Sequence, residues 1–378
     1  MSRDVNLTTA VIRDTAGWDE LRPAWESLYA SASSASTFLD FAWLRHWWRV
    51  FGESDAPGGL RIIAVWQGQR LAAAVPLYVA ARRADRSNIR VLRFISTGET
   101  EQEETCPEYL DILCLPEARD ACVAAVWEVI RALDWDCLEF LDAPADSPFL
   151  AAGAAGIQAR VFDRGVCPVA DLSGGFEVYL GRLSANSRQQ ARRLLREGER
   201  SGASFDLAGP DQADAAFADL VALHQERWQS AGSAGAFSAR RFVDFHRSLV
   251  AEWVPGGRAV LARLRAAGDV TAVLYGFVTA GKFDFYQAGA RRDADGPLRS
   301  PGNLAHLLLM QVLADRGVTA YDFLRGTASY KDRLATRENG LAGMRIWRSS
   351  PRALAYRTRR FAAGVIRRSS RLMKGSAR

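Results

Sequence analysis

Residues 304–326 read LAHLLLMQVLADRGVTAYDFLRG, an apolar helical pattern followed by a short strand pattern that ends in Asp322-Phe323-Leu324. Residues 121–142, ACVAAVWEVIRALDWDCLEFLD, repeat that order and end in Glu139-Phe140-Leu141. Internal self-similarity of this kind is the mark of a repeated structural unit. Working outward, each block is preceded by strand-like runs joined at a turn. In the first half these are RIIAVW and LAAAVPLYVA about Gln67-Gly68-Gln69. In the second they are AVLARLR and VTAVLYGFVT about Ala267-Gly268-Asp269, with a third run, KFDFYQAG, behind them. Further upstream come matching helix starts, Ser36-Thr37-Phe38 before AWLRHWW and Phe237-Ser238 before ARRFVDFHRSL.

Both halves share the order helix, antiparallel strands, helix, strand. That order predicts an α+β (mixed α/β) architecture in which one helix crosses between neighbouring strands. The small-residue stretch from Ala143 to Gly175 is the expected junction, giving a first half at 1–165 and a second at 166–350. Residues 351–378 form a basic tail outside the repeat.

The chain's 378 residues suit two ordinary domains, and 48% hydrophobic with 24% charged residues is the balance of a soluble globular protein. Disorder, collagen-like repeats and disulfide-dense scaffolds are excluded. From Arg345 to the end there are eleven basic residues and no acid, so the net charge of +6 becomes −5 on the residues before it. A mildly acidic body argues against specific nucleic-acid binding over its whole surface. The tail can touch an anionic membrane or polymer, or be a solvated helix end. Five cysteines without a C-x-x-C pair and four scattered histidines predict no disulfide framework and no metal site. The first residues, MSRDVNLTTA, lack a secretory pattern, and no apolar run has the length of a membrane span. The expected location is the cytoplasm.

Nucleophile-elbow, Walker A, HExxH and GxGxxG patterns are missing, so the common hydrolase, NTPase, metalloprotease and dinucleotide readings have no support. What the second half does offer is a place for a phosphate. Arg299-Ser300-Pro301-Gly302-Asn303 stands directly before a helix, where free N–H groups and the positive dipole end attract an anion. Its alternative reading is a plain helix cap. The equivalent first-half start, Pro116-Glu117-Ala118-Arg119-Asp120, already holds two carboxylates that would repel a phosphate. Only the second half therefore looks competent.

Tyr321-Asp322-Phe323-Leu324-Arg325-Gly326, with Tyr330-Lys331 beyond it, places polar groups at the carboxyl edge of the sheet. Lys331 is one of only three lysines, beside Lys282 and Lys374, and is read either as a compact catalytic charge or as a surface side chain. Arg188, Arg192, Arg196 and Arg200 share one helix face, either an anion-holding stripe or a solvated surface balanced by Glu197 and Glu199. His224 and Trp228 continue an apolar helical row, and Glu226 points elsewhere. The acidic run Glu99, Glu101, Glu103, Glu104 and Glu108 reads as a solvated loop, able to favour a cationic acceptor if it overhangs the cleft.

These residues resemble the GNAT superfamily, and within it the CelD-like acetyltransferases related to the FemAB peptidyl transferases. The resemblance is carried by His224 with Trp228, Phe237, His246, Ser300-Pro301-Gly302, and Asp322-Phe323-Leu324-Arg325-Gly326 through Tyr330-Lys331. Phe38, Trp43, Trp47 and Val75-Pro76-Leu77 extend it to the first half, so that it covers roughly residues 5–350. It implies tandem GNAT-like folds with acetyl-CoA or another acyl-CoA held in the second. The pyrophosphate is expected on the backbone from Arg299 through Ser300, Pro301, Gly302 and Asn303 to Leu304. The pantetheine arm is expected between the strand ending near Gln287-Ala288 and the strand Tyr321–Leu324. The implied activity is N-acyl transfer to an amine of a sugar, a polysaccharide precursor or a related envelope metabolite. Asp322 or Glu226 would accept the amine proton, Tyr330 would protonate the thiolate, and Lys331 would balance charge. His224, Trp228, Arg325 and Arg192 are the expected acceptor contacts. The phosphate loop carries fewer glycines than is usual in the superfamily, which keeps two other readings open. One is a FemAB-like transferase using aminoacyl-tRNA; the other is a catalytically silent module in exopolysaccharide assembly.

Overall fold

The computed structural model describes residues 6–84, 87–155, 159–291 and 298–359. Residues 292–297, in the polar loop ahead of Arg299, and the tail from residue 360 lie outside them. The first half runs β1 (Leu7–Ile12), α1 (Thr15–Ser31), α2 (Phe41–Trp47), α3 (Glu53–Asp55), β2 (Leu60–Gln67), β3 (Arg70–Ala84) and β4 (Ser87–Phe94). It continues through β5 (Leu113–Cys114), α4 (Arg119–Ala132), β6 (Cys137–Pro144) and α5 (Pro148–Ala154). Then come β7 (Ala159–Asp171), α6 (Phe176–Arg182), α7 (Ala185–Arg200), β8 (Ser204–Leu207), α8 (Ala213–Ser230) and α9 (Arg240–Trp253). The last part holds β9 (Ala259–Ala266), β10 (Asp269–Thr279), β11 (Lys282–Ala290), α10 (Pro301–Asp315), β12 (Ala320–Asp322), α11 (Ser329–Leu334) and β13 (Arg337–Trp347). A final helix, α12, spans 351–359.

The architecture is the mixed α/β fold expected, a mainly antiparallel sheet flanked by helices. Among the described residues thirteen strands join in the order β1-β2-β3-β4-β6-β13-β7-β12-β11-β10-β9-β8, with β5 on β3. Two pairings are parallel, β4 with β6 and β11 with β12. They occupy matching places in the two halves, and each is bridged by a crossover helix, α4 or α10. The hairpins turn where the residues allow positive φ. Ala267 (53°) and Gly268 (88°) connect β9 to β10, as Ala280 (49°) and Gly281 (75°) connect β10 to β11. Two successive positive-φ residues make the tight turn whose twist matches the strands.

The halves are not separate sheets. β7 pairs with β12 on one side and β13 on the other, and β13 in turn pairs with β6. The expected division at 165/166 thus falls inside β7. The cores are also shared. Trp43 of α2, fully buried, packs edge-on against Phe245 of α9 at 4.9 Å and Phe277 of β10 at 5.5 Å. Such aromatic pairs add about 1 kcal/mol each beyond the area they bury. No helix among the described residues is long and apolar enough to cross a membrane.

The beginning of the basic tail corrects one expectation. Residues 351–359 are helical and docked, because Tyr356 is 3% exposed and stacks on Trp347 at 5.7 Å over Ile89, Val91 and Cys137. A tyrosine three residues past Ala353 puts both on one helix face, and both are buried. Tyr356→Ala is expected to cost about 2 kcal/mol of stability, which denaturant unfolding will measure against the native chain.

Candidate functional site

β11 and β12 pair only from Lys282/Ala320 to Asp284/Asp322, after which they part. β11 continues to Ala290, while Phe323 donates its N–H to Pro168 O of β7 at 2.9 Å. Leu324 then takes φ 54° and Gly326 φ 146°, and the chain turns away. The gap between the strands opens onto the start of α10, in a cavity of about 430 Å³. Its lining includes Arg227, Arg291, Arg299, Gly302, His306 and Tyr330.

At the mouth, α10 begins with Pro301 and has no acidic residue in its first turn, and Ser300 makes no side-chain cap. The first N–H groups of a helix have no partner inside it, so those of Gly302 and Asn303 face the cavity uncapped. A Cβ on Gly302 would meet only Ala290 Cβ at 3.4 Å, an ordinary contact. Arg227 and Arg299 make no ion pair among the described residues, and Arg291 reaches Asp269 at 3.0 Å. Uncompensated guanidinium groups beside a helix start form an anion site. One feature opposes them: Glu197 of α7 accepts the Arg299 N–H at 2.7 Å.

Deeper in the cavity, Tyr330 stacks on His306 at 5.0 Å. His306 Nδ1 lies 2.7 Å from the Tyr321 hydroxyl. Burial, with Lys331 nearby, drives the imidazole down to about 3, so it is neutral at physiological pH. Burial also pushes the Tyr330 phenol up to about 12, and its hydroxyl has no hydrogen bond among the described residues. The pair offers a protonated phenol and an uncharged ring on the wall of a narrow cleft.

The sequence-derived residues divide sharply. Arg299, Ser300, Pro301, Gly302, Asn303 and Tyr330 all line the cavity. Leu304 does not, since its N–H bonds Ser300 O and its side chain is buried where Gly198 lets α7 approach α10. Gln287 is displaced by a bulge. The β10 register jumps from Phe285 to Gln287, leaving Tyr286 unpaired. Before the bulge odd residues face α10, as Phe285 does at 4.6 Å from His306. After it, Ala288 and Ala290 line the cavity and Gly289 packs on α8. One extra residue reverses the alternation that sequence reading assumes.

Asp322 and Lys331 need correcting as catalytic groups. Asp322 is fully buried on the opposite face, where it accepts from the Tyr109 hydroxyl at 2.7 Å and the Leu324 N–H at 2.8 Å. Lys331 Nζ donates to the carbonyls of Phe323, Leu324 and Arg325 at 2.7, 3.1 and 2.9 Å. All three ammonium donors are consumed in holding the loop after β12. Arg325 likewise ties the halves together, donating to Asp142 Oδ1 at 2.8 Å and through its N–H to Glu108 at 3.0 Å. Glu226 is exposed on α8, and Arg192 is exposed on α7, 3.8 Å from Glu177. His224 is a core residue edge-on to Phe237 at 4.8 Å, while Trp228 is 41% exposed; neither lines the cavity.

Arg227, Arg291 and His306 escaped sequence reading. Arg227 lies four and seven residues beyond Leu223 and Leu220 on the buried side of α8, a spacing that could have found it. The acidic run is also corrected. It crosses to the second half, where Tyr286 donates to Thr105 O at 2.6 Å. Glu108 is 3% exposed, with Oε1 on the Arg325 N–H and Oε2 buried without a partner. Burial pushes Glu108 up to about 8.

Two outcomes follow from this geometry. Lys331→Ala strands three carbonyls, so it is expected to lower stability by about 3 kcal/mol, with any loss of activity tracking the unfolded fraction by circular dichroism. Glu108 is easier to protonate folded than unfolded, so its contribution to stability is full at acid pH and is lost as pH rises towards 8. Glu99, pushed to about 7, and Asp111, pushed to about 6, act with the same sign at lower pH. Glu108→Gln is therefore expected to flatten the fall in melting temperature between about pH 5 and pH 8.

Among curated proteins none matches the chain. Solved structures share the fold. FemX superimposes with a TM-score of 0.55 at 10% identity, covering 84% of this chain and 95% of its own. L-PGS from Bacillus licheniformis gives 0.51 at 12% identity, covering 89% and 96%. The C-terminal domain of a proposed lysylphosphatidylglycerol synthetase from Agrobacterium fabrum gives 0.50 at 16% identity, covering 89% and 95%. Residues 185–332, a span from α7 to α11 that contains every residue lining the cavity, match the family model described as an acetyltransferase (GNAT) domain.

Proposed function

We propose that this protein is an N-acyltransferase that draws its acyl group from an acyl-CoA held in the second half. The observation that carries the reading is the cavity itself, where parted strands meet an uncapped helix start flanked by Arg227, Arg291 and Arg299. That set of donors fits a pyrophosphate, and the gap beside Ala288 fits a slender arm. When bound, the donor supplies an activated thioester. Tyr330, protonated well above neutral pH, stands where a leaving thiolate needs a proton. Among the described residues no carboxylate lines the cavity, so in this reading none of them takes the proton of the acceptor amine. The acceptor in this reading is an amine on a sugar, a polysaccharide precursor or a related envelope metabolite, as in the CelD-like type.

A second reading rests on α7. Arg192, Arg193, Arg196 and Arg200 are exposed on a helix that packs against α10, a basic face able to meet an aminoacyl-tRNA donor. Its similarity to FemX concerns the fold alone.

Calorimetric titration with acetyl-CoA separates these readings. The native chain and Gly302→Ala are expected to bind, Gly302→Glu to lose binding, and Arg227→Ala and Arg299→Ala each to weaken it about tenfold. Tyr330→Phe is expected to keep binding while turnover falls about a hundredfold. No binding by the native chain would overturn the acyl-CoA donor, and a tRNA mobility shift would then separate the second reading from a silent module.

A further inference from the structure

A second space, about 620 Å³, opens in the first half, away from the donor cavity. Its walls include Trp47, Tyr78, Arg93, Glu99, Glu101 and Glu104. The first three are buried, at 2%, 3% and 7% exposure, and form its floor. Gly98 makes room for the guanidinium: at φ 99° its missing Cβ would fall 2.0 Å from Arg93 Nη1.

The charges of this space are left incomplete in a specific way. Arg93 Nη2 donates to Glu139 Oε2 at 2.8 Å, yet its Nε is buried without a partner. Glu99 Oε1 accepts from Thr105 Oγ1 at 2.6 Å and from the Trp47 indole, yet its Oε2 is also buried without a partner. Glu101 and Glu104, exposed at the rim, make no ion pair among the described residues. Burying an unsatisfied donor and an unsatisfied acceptor costs free energy, and such groups in a folded chain call for an occupant that satisfies them. The acceptor side is a carboxylate beneath two more carboxylates, which selects a cation. The donor side is a guanidinium N–H, which selects an oxygen. The Trp47 and Tyr78 rings favour a cation over their faces.

We propose that this cavity binds a small molecule that carries a protonated primary amine together with hydroxyl or carboxylate oxygens. The amine lies against Glu99, Glu101 and Glu104, and the oxygens lie against Arg93. Thr105 joins this site to the other half, donating to Glu99 and accepting from Tyr286 at the bulge of β11. The site stands independently of the donor reading.

Calorimetric titration of the full chain tests it with glucosamine for the hydroxyl source and 6-aminohexanoate for the carboxylate source. Glucose and hexanoate, which lack the amine, are the controls. One or both amines are expected to bind saturably, with their controls at least about tenfold weaker. Glu99→Gln and the rim variant Glu101→Ala are each expected to weaken the amine about fivefold or more. Gly302→Glu, which disables the donor cavity, is expected to leave this binding unchanged. The proposal is overturned if neither amine binds, if a control binds as tightly as its amine, or if both acidic variants bind as the native chain does.

Discussion

Lys282 lies between two carboxylates that share one face of the parallel pair, 2.6 Å from Asp284 and 3.6 Å from Asp322. Burial by itself would lower its pKa, but the two aspartates more than reverse this and hold it raised. Neither aspartate exposes any surface, and an isolated carboxylate at such a depth would be prohibitive. The first half completes the arrangement: Thr37 donates to Asp284 at 2.7 Å and Tyr109 to Asp322 at 2.7 Å. Asp284 and Asp322 are register partners, so a slip of β12 by one residue would bury one carboxylate away from the ammonium. This ion cluster pins where the strands pair and hence where they part.

The site inherits its geometry from that pin. With β12 parted from β11 after Asp322, the chain stays on β7 through Phe323, and Lys331 closes the loop that follows by binding three of its carbonyls. Tyr330, adjacent to that anchor, is thereby set against His306. On the other strand the bulge at Tyr286 turns Ala288 and Ala290 towards α10, small side chains that leave the gap open. Lys331 and Asp322 support the cavity from behind. A residue type suited to chemistry served as scaffold, because the backbone carbonyls of a tight turn needed donors more than the cavity did.

The repeat and its elements were legible because they rest on local periodicity. The hairpins at Gly68 and Gly268, the crossover helices, and the acid-free helix start at Arg299 to Asn303 all follow from spacing and turn chemistry within a few residues. His306 was hidden because it sits in an apolar helical row, where spacing reads as core. Glu108 was hidden because a run of acids reads as solvated. Nothing local announces that a loop from the other half will be buried under Arg325.

By itself the sequence determined the elements, their duplication and the acid-free start of α10, since each depends on neighbours along the chain. Only the tertiary structure decided which side chains meet. The insertion of β13 between the halves, the bulge that reverses the faces of β11, and the burial of Asp322 and Glu108 depend on contacts between residues far apart in the chain. Their physical reason is desolvation: once the halves close, buried charges need partners, and the opposite half supplies Tyr109 to Asp322 and the Arg325 N–H to Glu108.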